Sequence, residues 1–239
     1  MTPEITVLAL AAASIAFVHT VLGPDHYLPF VAMARARNWS LATTLRVTLI
    51  CGLGHLVGSV MLGMIGIAIG SQLASLEWLE AVRGELAAWL LIGFGLAYMV
   101  WGLRQAWLKR PHRHWHNHGG LPHFHEHSQA KGNEHASAHQ SSNITPWVIF
   151  VIFVLGPCEP LIPLLMYPAA RESLLGVIMV TAVFGVVTVA TMTGVVVATM
   201  LGLDRLNIQT RFSRLAHYSH AAAGGTLLMC GVSVAFLGL

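Results

Sequence analysis

The chain has 239 residues, 55% of them hydrophobic and only 10% charged, with a mean hydropathy of +0.67. Soluble domains carry about 25% charged residues, so this composition excludes an ordinary soluble domain and points to a membrane protein. The net charge of +3 is not a nucleic-acid footprint, because the basic residues fall at the boundaries of apolar stretches.

In chain order, the apolar stretches run over Ile5–Pro24, Val47–Leu76, Leu86–Leu103, Ile144–Ala170 (interrupted by Glu159), Ser173–Leu203 and Leu215–Leu239. A helix needs about 20 apolar residues to cross the hydrocarbon core, so these predict six spans. The first lacks the positive flank of a signal peptide and is expected to be retained. Cys51, Cys158 and Cys230 all lie within spans, which gives no disulfide framework. If Arg35 and Arg37 are cytoplasmic, then Arg46, Arg104, Lys109, Arg110, Arg113, Lys131, Arg205, Arg211 and Arg214 are as well, leaving Arg83 and Arg171 outside. That bias predicts both termini outside and the segment 104–143 in the cytoplasm.

The chain repeats itself. Residues 21–26 read V-L-G-P-D-H and residues 154–159 read V-L-G-P-C-E, with Leu28 meeting Leu161 and Met33 meeting Met166. After a shift of three residues, Gly58, Gly66, Gly95 and Gly102 fall on Gly194, Gly202, Gly231 and Gly238. Two halves of three spans each are forced into opposite orientations, as in inverted-repeat carriers whose sites sit where broken helices meet. The predicted organisation is a first three-helix repeat at 1–103, a His-rich cytoplasmic loop at 104–143 expected to be disordered, and a second three-helix repeat at 144–239.

Each half carries a helix break. In Gly23-Pro24 the proline removes a backbone donor and the glycine permits a change of direction. The second break, Gly156-Pro157-Cys158-Glu159-Pro160 followed by Pro163, is harder. Interrupted backbone at membrane depth is tolerated when buried in protein or lining a wet cavity. His19, Asp25 and His26 mark the first break, Cys158 and Glu159 the second. A charged carboxylate at the bilayer centre costs about 2.5–3.5 kcal/mol on insertion scales, so Asp25 and Glu159 need histidine or cation partners.

In the second span, His55 sits among small residues in G-L-G-H-L-V-G-S, four residues after Cys51. Its bland reading is a satisfied core histidine; with His19 and His26 it makes a third imidazole. Imidazole with carboxylate suits divalent nickel, cobalt, zinc or iron. Nine of the fourteen histidines lie between His112 and His139. Alternation at His112, His114, His116 and His118, and again at His123, His125 and His127, puts side chains on one edge of an extended chain. These seven are read as a low-affinity metal-capture segment, against the bland alternative of a solvated linker.

The stretch His19-Thr-Val-Leu-Gly-Pro-Asp25-His26 resembles the signature of the nickel/cobalt transporter superfamily. It is most similar to the hydrogenase/urease accessory permeases, whose motif has proline where this chain has Thr20. Gly54-His55 resembles a histidine of their next span, and the His-rich loop is similar to that of nickel/cobalt efflux relatives. The resemblance implies a permease with His19, Asp25, His26 and His55 in the ion path; Cys158 and Glu159 join that ligand set through the repeat alone. A rival resemblance also exists. Gly156-Pro157-Cys158-Glu159-Pro160 looks like the Pro-Cys-x-x-Pro stretch of the cytochrome c biogenesis thiol–disulfide membrane proteins. Those pass electrons through a cysteine pair, one from each half, whereas here the position matching Cys158 is Asp25.

The sequence therefore leads to an all-α, multi-pass inner-membrane protein of bacterial type. The function expected is alternating-access transport of nickel or cobalt, with zinc or iron as other ions and export favoured over uptake. The alternatives are a thiol–disulfide carrier using Cys158 and a non-transporting metal-binding accessory protein. No tightly bound cofactor, no nucleic acid and no enzymatic activity are expected. The expected partners are the metal ion, the bilayer, and a cytoplasmic metal chaperone or metalloenzyme maturation protein. His217 and His220 are expected at the membrane interface.

Overall fold

Long apolar segments leave the backbone no partner in lipid except itself, so helices are the required outcome. The structure, a computed structural model, describes residues 3–70, 73–108, 112–116, 123–127, 144–158, 160–171, 173–205 and 217–237. Helix α1 (Pro3–Leu22) is followed by a 3-10 turn (Pro24–His26) and by α2 (Leu28–Arg37), α3 (Leu41–Ala68) and α4 (Leu73–Leu108). After two short strands come α5 (Ile144–Leu155), α6 (Leu161–Ala170), α7 (Leu174–Arg205) and α8 (Ser219–Leu237).

Among the described residues, α1, α3, α4, α7 and α8 are long and apolar enough to cross a membrane. The fourth predicted span, 144–170, is instead two short apolar helices, α5 and α6, of 12 and 10 residues. Prolines at 157 and 160 remove donors that a continuous helix needs, and α6 starts anew with Leu161 N–H on the Cys158 carbonyl at 2.9 Å. The protein is a multi-pass helical membrane protein, with large apolar side chains such as Phe17, Ile50, Trp89, Leu175 and Phe236 exposed on its flanks.

Two apolar clusters hold the bundle. One joins Phe30 and Met33 of α2 to Leu91, Phe153, Met192 and Leu227. The other joins Ala12 and Ala16 of α1 to Cys158, Leu161, Val180 and Phe184. Helix α4 packs along α8 through small residues: a Cβ on Gly231 would lie 2.8 Å from the Ile92 amide nitrogen, an approach that only small residues allow. Helix α2 ends where Asn38 turns left-handed, at φ 52°. Ser40 then caps α3 by accepting from the Thr43 amide at 3.2 Å.

Helix α4 continues to Leu108, and β1 (His112–His116) pairs antiparallel with β2 (His123–His127). The register sets His112 opposite His127, His114 opposite His125 and His116 opposite His123. His118, His135 and His139 lie outside the described residues.

Candidate functional site

The first break is built by Gly23 and Pro24. The Gly23 amide closes α1 on the His19 carbonyl at 2.9 Å, and the His26 amide reaches the Gly23 carbonyl at 3.1 Å. That tight turn places Asp25 and His26 inside the bundle, His26 only 4% exposed. His26 Nδ1–H donates to the Gly23 carbonyl and to Asp25 Oδ1, both at 3.2 Å. His55 Nδ1–H, from α3, donates to the Phe153 carbonyl of α5 at 3.2 Å. A carbonyl only accepts, so both rings carry their proton on Nδ1 and, when neutral, leave Nε2 as a bare acceptor.

His19, His26 and His55 stand together. The His19 and His26 centroids are 4.8 Å apart at 82°, and those of His26 and His55 are 5.5 Å apart at 86°. All three Nε2 atoms are buried without a hydrogen-bond partner. The rings meet edge to face, and among the described residues no group of three or more His, Cys, Asp or Glu side chains is arranged to hold a metal ion.

The second break faces the first. Asp25, His26, His55, Phe153, Gly156 and Pro157 line one void of about 30 Å³, room for about one water molecule. Beside it, a cavity of about 450 Å³ is lined by His19, Gly23, Gly84, Glu85, Pro157 and Pro160 among others. The expected meeting of the two breaks is therefore present at Asp25-His26 and Gly156-Pro157. Cys158 is not part of it: its side chain is fully buried in the apolar cluster with Ala12, Ala16 and Phe184. Glu159 lies outside the described residues.

Sequence reasoning missed the pair that secures the second break. Arg83, read as an external loop charge, donates to Glu80 Oε1 at 2.8 Å, to the Val154 carbonyl at 2.9 Å and to the Gly156 carbonyl at 3.2 Å. Those carbonyls lie at the end of α5, where no intrahelical donor follows. Glu80 is 0% exposed. Gly84 lets Pro157 lie directly on α4, since a Cβ there would be 2.7 Å from the proline Cγ. The Gly156 carbonyl that Arg83 holds lies two residues before Cys158. The one sequence signal was Glu80-x-x-Arg83, an i,i+3 ion pair on a helix.

The remaining histidines are bound into the bundle. His220 Nδ1 meets the Tyr98 hydroxyl at 2.9 Å and its ring packs on Trp101. His217 Nε2–H donates to the Ala106 carbonyl at 2.7 Å. Cys51, Cys158 and Cys230 are all free and buried, and no two lie close together.

Comparison with known proteins gives one match. Residues 28–237 fit the family described as the cytochrome c biogenesis protein transmembrane region. No curated protein and no solved structure matches the chain. The family match overturns the resemblance to the nickel/cobalt transporter superfamily, and with it the expected nickel or cobalt permease and its metal-binding character. That resemblance rested chiefly on one short motif, His19 to His26, all of which precedes the matched residues.

Proposed function

The chain belongs to the cytochrome c biogenesis protein transmembrane region family, and from that membership we propose that it is a membrane-embedded thiol–disulfide transfer protein with Cys158 as its exchanging thiol. The observation carrying this reading is the family match over residues 28–237. It is supported by Cys158 standing in the proline-broken segment between α5 and α6. Asp25 replaces the partner cysteine expected in the first half, so the transfer runs through a single thiol.

The exchange balances with partners of two chemical classes. The Cys158 thiolate attacks a protein disulfide, breaking its sulfur–sulfur bond and forming a mixed disulfide while the other partner sulfur leaves as a thiolate. A protein dithiol then attacks the Cys158 sulfur, which releases the first partner fully reduced. Its second thiol closes its own disulfide and frees Cys158. Two electrons have passed from dithiol to disulfide. Because Cys158 is fully buried, the exchange requires the break at Gly156-Pro157-Cys158 to open.

The same reading takes the architecture as six crossings in two inverted halves. The α1–turn–α2 unit, α3 and α4 make the first; the α5–α6 unit, α7 and α8 make the second. The His-bearing hairpin joins them on the cytoplasmic side, with both termini outside. His26 stiffens the first break through Gly23 and Asp25, His55 ties α3 to the Phe153 carbonyl of α5, and the two rings meet edge to face, so the first break stays placed while the second opens. Acid quenching followed by alkylation of membranes tests the thiol role. Cys158 is expected to be caught in mixed disulfides that a dithiol reductant releases; a permanently reduced, partnerless Cys158 would remove the proposal.

A further inference from the structure

We infer that Glu80 is the proton-exchange partner of Cys158, held in place by Arg83; the inference rests on the thiol-transfer reading above. A thiol must lose its proton before its sulfur can attack, and Cys158 sits fully buried among apolar side chains, where water cannot take that proton. Helix α4 presents the second break with three consecutive devices. Glu80 supplies a fully buried carboxylate. Arg83 ties that carboxylate to the Val154 and Gly156 carbonyls. Gly84 admits Pro157, the residue before Cys158, into direct contact with the helix.

The charge count favours this division of labour. One buried negative charge is paired with one part-buried guanidinium. When the Cys158 proton moves to Glu80, the negative charge passes from carboxylate to sulfur and the total is unchanged. Arg83 remains the counter-charge in both states. No new charge is created in the low-dielectric interior, where an uncompensated one costs several kcal/mol. The sulfur then attacks the partner disulfide, and the departing partner thiolate recovers the proton from the Glu80 carboxylic acid. Glu80 ends the step as it began, a carboxylate on Arg83. The arrangement also places the proton donor beside the segment that opens, because the guanidinium that orients Glu80 is bonded to that segment's own backbone.

The test is the rate at which the full-length protein, purified in detergent with Cys51→Ala and Cys230→Ala, reacts with 2,2′-dithiodipyridine, a small apolar disulfide. Each attack forms a mixed disulfide on Cys158 and releases one pyridinethione, followed by absorbance. Glu80→Gln keeps the shape and can still accept from Arg83, yet cannot take a proton. It is expected to slow the reaction by about tenfold or more, while Glu80→Asp retains most of the rate. A structural role alone would rank them the other way, with Gln at least as good as Asp. That ranking, or a Gln variant within about twofold of its parent, overturns the inference. If Glu80→Gln does not remain monodisperse, the charge-balanced Glu80→Gln/Arg83→Gln variant is measured instead. A slow rate there supports the inference, and a parental rate overturns it. A parent whose Cys158 never reacts removes the thiol-transfer reading itself, an outcome distinct from an active parent that is indifferent to Glu80.

Discussion

Arg83 donates to the main-chain carbonyl of Gly156 across 3.2 Å, so a residue on α4 completes the broken end of α5, 73 positions later in the chain. The same guanidinium holds Val154 and the fully buried Glu80. One side chain thus supplies the Gly156 carbonyl with the donor that Pro160 cannot.

Removing that side chain is expected to be costly. Arg83→Ala takes the guanidinium from a buried carboxylate and two carbonyls, and breaking a buried pair from one side costs about 3–5 kcal/mol. Thermal or denaturant unfolding of the detergent-solubilised protein measures it. A loss below about 1 kcal/mol, the range of an exposed pair, would show that Arg83 does not secure the break.

The surface ion pair gives the contrast. Arg35 bonds Asp204 Oδ1 at 2.6 Å, but the Asp204 side chain is 61% exposed. Asp204→Asn is expected to cost no more than about 1 kcal/mol in the same unfolding measurement. A larger effect would assign that pair a part in holding α2 on α7.

Gly84 tests the packing of the second break on α4. Gly84→Val drives a branched side chain into Pro157 and should cost about 1–3 kcal/mol, the usual range for overpacking. Gly93→Ala on the same helix is the control, since a Cβ there meets nothing within 4 Å. It should be neutral or stabilising by up to about 1 kcal/mol. Equal effects at the two positions would mean that Pro157 does not lie against α4.

His55 tests the contact between α3 and α5. His55→Leu keeps the bulk but removes one of two donors to the Phe153 carbonyl, which the Gly156 amide also reaches at 3.1 Å, so the loss is expected to be about 0.5–1.5 kcal/mol. Increased proteolytic cutting in α5, read by mass spectrometry, is the local signature. Unchanged stability and cutting would separate His55 from the α3–α5 contact.

Much of the membrane plan was legible in the sequence, because charge-free length alone dictates helices. Pro24, Pro157 and Pro160 marked the interruptions, and the matched L-G-P pattern placed Asp25-His26 and Gly156-Pro157 at what proved to be one void. The chemistry of the second break was not legible. Arg83 was counted as a topology charge because hydropathy treats every arginine near a span end alike, whereas its role depends on Val154 and Gly156, far away in sequence. The packing of the Cys158 side chain was not legible for a related reason. Residue number placed it at the break, but its side chain turns into the apolar cluster with Ala12 and Phe184. In the loop, the alternating histidines gave the extended conformation, while their composition concealed the pairing. Gly119-Gly120, between two alternating runs, was the available hairpin signal.

The three cysteines are free, buried and mutually distant, so mild oxidation of the purified protein should produce no intrachain disulfide. Non-reducing peptide mapping is the check. A Cys158–Cys230 or Cys158–Cys51 bridge in good yield would replace the single-thiol scheme with a two-thiol one.

Transfer across the bilayer tests the central claim most directly. Proteoliposomes enclosing a disulfide-bonded reporter protein are given an impermeant dithiol protein outside, and reduction of the enclosed reporter is followed over time. With Cys51→Ala and Cys230→Ala in place, the reporter should still be reduced, and the further change Cys158→Ser should abolish that reduction. Equal reduction with and without Cys158, or none in vesicles containing the parent protein, would contradict the account.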